Sequence, residues 1–500
     1  MIEMSVSVTS SREQDIVYES LLLSYPDGVT VSTVNNGEIV VGDRLHTLNL
    51  GQSQPLTCDI LDQLTPPGAP LGQLVESVTC SQGPSAVATL FHHLQRLSGR
   101  GLLQSVLKNG DHRLATMMPA IPAAGLRSGV VPDDGLYRLS RFAFLRRVGN
   151  NLVMETPLSA VRVLLHDPVL AGIVLSLTSA ASCRELVAGH GDFSYESLQQ
   201  VLNLLHAAKL VELQSRAAES CGNSTSLSED ENPELQAWEF HDLLFHTRSR
   251  MGRHAEPTGA TYRLSALQDP LSATKVCDRQ NAIALFYPDL TELAKSDPPL
   301  SAVMEQRCSI REFGREPMTI EQLGEFLFRV ARVRQKYEMA LQTPQGVVET
   351  EMTSRPYPSG GALYPLEFYL LIRKCRGIDA GVYHYDALEH QLIPVSDLSP
   401  SAEEVLLHAN YSTGVGRGDV QVLIVMTARF RRVSWKYSSL AYSLILKEVG
   451  VMIQNMYLAA AAMKLAPCAI GSGNSDVFAK AISSDYYAET SVGEFLLGST

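Results

Sequence analysis

The sequence predicts an α+β protein in which two small helix-and-strand modules precede one larger α+β domain. Three observations carry that expectation. The 500 residues exceed the roughly 250–300 at which a single hydrophobic core stops growing. Two segments of the first half repeat one order of features: short β-like stretches, a polar break, an amphipathic helix and a small strand. The apolar share of 45% against a charged share of 19% suffices for buried cores and excludes collagen-like or wholly disordered chains.

The first module, residues 1–112, runs from Leu22 through GEIVVGDRLHTLNL to the helix SAVATLFHHLQRLSGRGLL. The second, residues 136–216, runs from LYRLSRFAFLRRVGNNLVMETPLSAVRVLL to SYESLQQVLNLLHAAKLVEL. In its helix Val201, Leu204, Leu205 and Ala208 recur at the spacing of an apolar stripe. Ser194 is placed to cap that helix, with Glu196 close to the capping-box position. A helix followed by a break and a short apolar strand, as in GRGLLQSVL and AAKLVELQ, has the outline of a winged helix-turn-helix. Two plain α+β packing domains without a ligand account for the same residues. Few basic residues lie on the candidate recognition helices, and 41 Lys+Arg against 53 Asp+Glu leave a formal charge of −12, so nucleic-acid binding is not expected.

Residues 113–135, which include MMPAIPAAGLRSGVVPDDG, read as a linker, and the acidic, serine-rich residues 217–234 as a flexible one. Residues 235–500 remain for the larger domain. The eight cysteines form no C-x-x-C pair, so reduced thiols and no metal site are expected. The N-terminus carries Glu3, Glu13, Asp15 and Glu19 in place of a basic start and apolar segment, and no uninterrupted apolar run approaches about 18 residues. The expectation is a cytoplasmic protein without a membrane span.

Chemistry is expected in the larger domain. GVGRG, with Gly414, Gly416 and Gly418, precedes a strand and so reads as a turn, not as a phosphate loop. In RCSIREF, Arg307, Ser309 and Arg311 alternate, which in extended chain turns two guanidiniums and a hydroxyl to one side, a set suited to phosphate. Surface ion pairs with Glu305 or Glu312 are the competing reading. In RPYPSGGALYPLEFYLLIRK, Pro358 and Pro365 disfavour helix, Gly360 and Gly361 admit a flat ligand or simply a turn, and Leu366–Ile372 reads as a buried strand. Residues 440–466 form a helix apolar on nearly every face, suited to a core or a subunit interface, whose Glu448, Gln454 and Asn455 require partners. Just before it, Lys436 and Tyr437 follow the strand VQVLIVMTA; a Lys partly desolvated by Trp435 can serve as a base with Tyr437 as proton donor, or the two sit on a solvent loop. LAPCAIGSGN, with Gly471 and Gly473, is a close-approach loop or a plain helix-to-strand connection.

Taken in order, WEFHDLLFHTRSRMGR, GATYRL, RCSIREF, PSGGALYPLEFYLL, the Lys436–Tyr437 pair, KEVGVMIQNMYLAA, APCAIGSG and GEFLLG resemble the FMN-dependent nitroreductase superfamily. Within it they resemble the SagB-type azoline oxidases, cyanobactin thiazoline oxidases included. The modules resemble PqqD-like winged-helix peptide clamps by feature order alone. The resemblance implies a homodimeric nitroreductase-like fold holding FMN at the subunit interface. Arg307, Ser309 and Arg311 would contact the FMN phosphate, ribityl chain or the edge of the flavin. Pro358, Ser359 and Gly360 from the partner subunit would lie against the isoalloxazine, and Ile470 and Gly471 would approach N5. Lys436 and Tyr437 would be catalytic.

The implied activity is oxidation of thiazoline, or oxazoline, rings in a ribosomally made precursor peptide to azoles. Hydride would pass to FMN and electrons to dioxygen, and a heterocyclase would be a further partner. A leader peptide held on a clamp would raise the local concentration of the core peptide. The chain ends two residues after GEFLLG, so the basic residues that some nitroreductases carry near their C-terminus have no counterpart, and phosphate binding would fall on Arg307 and Arg311. Two other functions fit the sequence: an NAD(P)H-dependent nitro or quinone flavin reductase, against which the Lys-Tyr pair and the modules speak, and a flavin-free scaffold that recruits a peptide.

Overall fold

The computed structural model describes residues 21–34, 37–43, 47–52, 55–98, 100–119, 135–190, 193–214, 228–254, 257–416 and 419–500. The chain divides into two compact units, Met1–Glu256 and Pro257–Thr500.

The first unit is built twice on one plan. A strand (Leu21–Ser24; then Leu136–Leu139) leads into a three-stranded meander (Thr30–Thr33, Glu38–Gly42, Thr47–Gln52; then Phe144–Val148, Asn151–Glu155, Val161–Leu165). A helix follows (Pro55–Gln63; Pro168–Ser176), then a two-residue strand (Ala69–Pro70; Ala181–Ser182), two further helices (Leu71–Gln82 and Val87–Ser98; Cys183–Gly189 and Tyr195–Ala207) and a closing strand (Gln104–Asn109; Val211–Gln214). In both copies the two-residue strand and the closing strand flank the first strand. Each copy has its own apolar core.

One added strand, His112–Pro119, pairs with Gln104–Asn109 on one side and with Val161–Leu165 on the other. It thereby joins the first copy to the second copy's meander in a single seven-stranded sheet. Residues 113–119, read from sequence as linker, lie in this strand, where Ala115 and Met117 are buried; residues 120–134 fall outside the described residues. The helix Tyr195–Ala207 starts as its sequence predicts, with Ser194 Oγ accepting from the Ser197 amide, and it buries Val201, Leu204 and Leu205. The reciprocal capping box forms one helix earlier, between Ser182 and Glu185. Of the acidic stretch 217–234, residues 217–227 lie outside the described residues, while Glu229 accepts from Ser140 Oγ and the Arg141 amide. Helix Phe240–Arg248 is fixed to the same unit by Arg248, which with Arg146 brackets the buried Glu155 carboxylate at 2.7 and 2.6 Å.

The second unit is a seven-stranded antiparallel sheet in the order Ile283–Ala284, Gln391–Ser396, Gly381–Asp386, Leu366–Ile372, Val422–Arg429, Glu489–Ser499, Leu465–Ile470. Leu366–Ile372 lies at its middle with all seven residues buried, as a strand covered on both faces must be. Alternate side chains serve different cores. Leu366, Phe368 and Leu370 pack against helices Ile320–Ala331 and Ala441–Ala462, whereas Tyr369 and Leu371 pack against Pro400–Thr413 and Ser475–Ala481.

The long helix Ala441–Ala462 is, among the described residues, the one helix long and apolar enough to cross a membrane. Its Ile445, Met452 and Met456 are fully buried against the sheet, and Lys447 and Glu448 interrupt its apolar run. Of the glycines in GVGRG, Gly414 terminates helix Pro400–Thr413 in a left-handed conformation (φ 76°), the turn its sequence predicts; Gly418 falls outside the described residues.

Candidate functional site

Strand Val422–Arg429 passes into the short helix Phe430–Ser434 and then to Lys436 and Tyr437. Tyr437 and Ser438 pair as a two-residue strand with Gly259–Ala260, which fixes the backbone of the pair. Trp435 is buried, its indole N–H donating to Gln268 O at 2.7 Å. One helical turn before Lys436, the buried Arg432 guanidinium donates to three carbonyls: Leu363 at 2.9 Å, Leu271 at 2.6 Å and Glu351 at 2.7 Å. Burial, and secondarily the cations Arg429 and Arg355, lower Arg432 to about 10. Lys436 is half-buried; that burial, with the Arg432 charge beside it, pulls its ammonium below the ordinary lysine value. Burial, with Tyr262, pushes the Tyr437 hydroxyl up.

The loop Pro358–Pro365 meets this pair. Gly361, Ala362 and Tyr364 all take positive φ, at 65°, 56° and 46°, a concentration of backbone strain worth about 1–3 kcal/mol for each non-glycine residue. The surroundings hold it: Ser359 Oγ accepts from the Tyr364 amide at 2.9 Å and donates to the Glu448 carboxylate, while Arg432 grips Leu363. A Cβ on Gly361 would stand 2.6 Å from the Tyr437 hydroxyl and 3.0 Å from Lys436 Nζ, so the absence of a side chain is what lets both groups reach the loop. Beneath it, Glu448 is buried, and its Oε1 has no hydrogen-bond partner among the described residues. Burial raises this carboxyl to about 7, against the pull of Ser359 and Arg355.

Arg307, Ser309 and Arg311 gather at the other end of the same helix. Ser309 Oγ lies 2.7 Å from the Tyr457 hydroxyl, the Arg307 guanidinium stands 5.1 Å from the centroid of the Tyr457 ring, and Tyr457 accepts from the Ala469 amide at 2.9 Å. The Ile310 amide donates to Pro467 O at 2.8 Å, laying RCSIREF along strand Leu465–Ile470. Ile470 pairs with Glu494 at the end of that strand, and Gly471 beyond it is exposed. Among the described residues neither Arg307 nor Arg311 pairs with a carboxylate, so both guanidiniums are available to an anion.

The sequence-predicted residues thus fall into two groups within one chain. In the first, Lys436 and Tyr437 meet the Pro358–Gly361 loop, which Ser359 ties to Glu448; in the second, Arg307 and Ser309 meet Tyr457, and Arg311 lies near Cys468 in the strand that ends at Ile470 and Gly471. Glu448 and Tyr457 are separated by about 13 Å of helix axis at about 1.5 Å per residue. Sequence reasoning missed Arg432 and Tyr457. Tyr457 was legible as a polar-tipped residue in an otherwise apolar stretch, since a buried Tyr hydroxyl needs a partner; Arg432 carried no such signal, because RFRRVS reads as a solvated basic turn.

Residues 304–498 match the nitroreductase family and residues 137–255 match the family "Cyanobactin oxidase ThcOx". Residues 304–498 are a nitroreductase-family domain. A nitroreductase of Methanocaldococcus jannaschii is 27% identical over 192 residues, 38% of this chain and 85% of that protein. The microcin B17-processing protein McbC of Escherichia coli is 36% identical over 110 residues, 21% of this chain and 40% of that protein. The trifolitoxin-processing protein TfxB of Rhizobium leguminosarum bv. trifolii is 26% identical over 149 residues, 29% of this chain and 40% of that protein. The chain therefore spans less than half the length of the two peptide-processing relatives. In the nitroreductase-family domain, both residue groups hang on one helix, Ala441–Ala462, and on the two loops that pack against it.

Proposed function

We propose that this chain is an FMN-dependent oxidase that dehydrogenates thiazoline, or oxazoline, rings of a ribosomally made peptide to the aromatic azoles. The observation that carries the reading is the Lys436–Tyr437 pair held against the strained Gly361 loop. A base with a lowered pKa and a hydroxyl that stays protonated stand together there. The match to the cyanobactin oxidase family and the likeness to two peptide-processing proteins support the peptide substrate.

The residues fit FMN. Two guanidiniums that pair with no carboxylate among the described residues, beside the Ser309 hydroxyl, suit its phosphate. The Pro358–Gly360 loop offers backbone to the flat ring, and Ile470 and Gly471 offer the end of a strand. FMN, when bound, supplies a hydride acceptor that dioxygen can reoxidise. The chain's own contribution is proton transfer and position. Lys436, its charged form disfavoured by burial and by Arg432, is a neutral amine more often than an ordinary lysine and takes the Cα proton of the azoline. Tyr437 retains its proton and donates a hydrogen bond to the ring heteroatom. Arg432 and Glu448 hold the loop on which both act.

A second copy of the chain completes the reading. Tyr442 and Leu446 on the long helix are 43% and 37% exposed, an apolar stripe suited to a homodimer. The repeated modules of the first unit are read as winged-helix clamps for a leader peptide, and a heterocyclase must supply the azoline.

The test is absorbance of the pure protein, followed by anaerobic addition of a thiazoline-containing peptide. Flavin bands that bleach with the peptide and return with air are expected. Bleaching by NAD(P)H alone would replace the reading with a reductase, and failure to take up FMN would replace it with a recruiting scaffold. Lys436→Ala should retain FMN and lose peptide oxidation; full activity in that variant would remove Lys436 from the mechanism.

A further inference from the structure

The sheet of the second unit carries another constellation on the face away from the long helix. Along Leu366–Ile372 the side chains alternate, so Glu367 shares a face with Tyr369 and Leu371; along Gly381–Asp386, His384 shares that face with Val382. His384 Nε2 lies 3.1 Å from Glu367 Oε2, and His384 Nδ1 lies 3.4 Å from Cys277 Sγ. The second Glu367 oxygen lies 3.3 Å from Arg429. His384 and Glu367 are buried, whereas Cys277 is half-buried on a loop whose neighbouring Val276 is 87% exposed. The sulfur thus stands at the rim and the imidazole and carboxylate beneath it.

The order is nucleophile, imidazole, orienting carboxylate, the geometry in which a thiol is activated. Burial alone would lower His384, but its hydrogen bonds with Cys277 and Glu367 win and hold the imidazole up at about 9. An imidazolium donates from both nitrogens. Nε2–H is taken by Glu367, which leaves Nδ1–H aimed at the Cys277 sulfur as acceptor. The remaining charges nearby are engaged: Lys275 with Tyr369 and Glu489, Arg279 with Asp386. Each of these cations is paired with a carboxylate, so neither competes with the imidazole for the sulfur.

We propose that Cys277, His384 and Glu367 form a second reactive centre, a thiol nucleophile that exchanges with small disulfides able to reach the exposed loop. Cys277 Sγ attacks one sulfur and forms a new S–S bond as the original one breaks. The departing sulfur keeps the electron pair and takes the proton held on His384. One disulfide is consumed and one thiol is released, with no net oxidation.

The probe is oxidised glutathione at about pH 6, well below the value of about 8.5 at which an ordinary thiol ionises, with each cysteine followed by peptide-mapping mass spectrometry in the full chain. Cys80 is the internal reference, because it is exposed and, among the described residues, has no such partners. Cys277 is expected to form the mixed disulfide about tenfold faster than Cys80, because His384 stands beside its sulfur to supply the proton that the departing sulfur takes. His384→Asn is expected to bring it down to the Cys80 rate. The comparison of the two cysteines in the native chain decides the matter even where that variant fails to fold. Equal rates at Cys277 and Cys80, or an unchanged Cys277 rate in the folded variant, would overturn the proposal.

Discussion

Replacing Glu448 by Gln tests how the strained loop is held. The carboxyl accepts from Ser359 through one oxygen while the other finds no partner among the described residues, and burial raises it from 4.5 to about 7. A group whose folded value lies above its unfolded value binds a proton more readily in the native state. Its stabilising contribution is complete below about pH 4.5 and is lost as pH rises through about 7. At about 1.4 kcal/mol per pH unit, the native protein should lose about 3 kcal/mol of stability across that window from this group. Glu448→Gln keeps the volume and an acceptor for Ser359 but carries no titrating proton. Its amide, at the unpartnered position, costs about 1–3 kcal/mol at every pH. The variant should therefore be offset from the native protein by an amount that shrinks, or changes sign, between about pH 4.5 and pH 7.5. The assay is urea unfolding followed by Trp435 fluorescence. The sequence holds 2 tryptophans, so a Trp238→Phe background makes the signal report on the C-terminal unit alone and avoids treating two compact units as one two-state transition. Parallel stability profiles for the two proteins over this range would refute the reasoning, because they would mean that Glu448 is ionised in the native state throughout.

Gly361→Ala places a methyl group 2.6 Å from the Tyr437 hydroxyl at a residue with φ 65°; it should lower stability by about 1–3 kcal/mol and slow peptide oxidation more than it weakens FMN binding, which flavin titration and steady-state rates would separate. Arg307→Ala and Arg311→Ala should each weaken FMN binding by about 1.5–3 kcal/mol, or about ten- to hundredfold, if each donates to the phosphate; unchanged FMN affinity in both variants would exclude them from the phosphate site. Tyr457→Phe removes the shared partner of Ser309 and the Ala469 amide; it should cost about 1–3 kcal/mol in stability by denaturant titration, and it should loosen FMN through Ser309 while leaving the ring that faces Arg307 in place.

The parts of the fold that were legible are those a local pattern determines. The stripe Val201, Leu204, Leu205 and Ala208 and the cap at Ser194 describe one helix, and nothing distant has to be known to place it. The continuous apolar run Leu366–Ile372 likewise identifies the middle of a sheet, because only a strand covered on both faces tolerates it. The duplicated plan of the first unit was visible as a repeated order of features. Its joining was not: Met117 sits in a segment rich in Pro, Gly and Ala, and only pairing with Gln104–Asn109 on one side and Val161–Leu165 on the other makes it a strand.

The site divides in the same way, and the division has a physical cause. Arg307, Ser309 and Arg311 stand out because alternation along extended chain needs no partner, and Gly361 because positive φ and close approach both select glycine. What a side chain is bonded to is settled by chain closure over long separations. Ser309 and Tyr457 are 148 residues apart, and Cys277 and His384 are 107 residues apart. Composition leaves a trace of such pairs only as a polar group that cannot remain buried alone, as Glu448 was in its apolar helix. Cys277, on an exposed loop, and His384, in the strand GVYHYD, leave no such trace, because each could be satisfied by water. It is the sheet, by setting strand Gly381–Asp386 beside Leu366–Ile372, that brings Glu367 beneath the imidazole and turns two unremarkable residues into a candidate reactive pair.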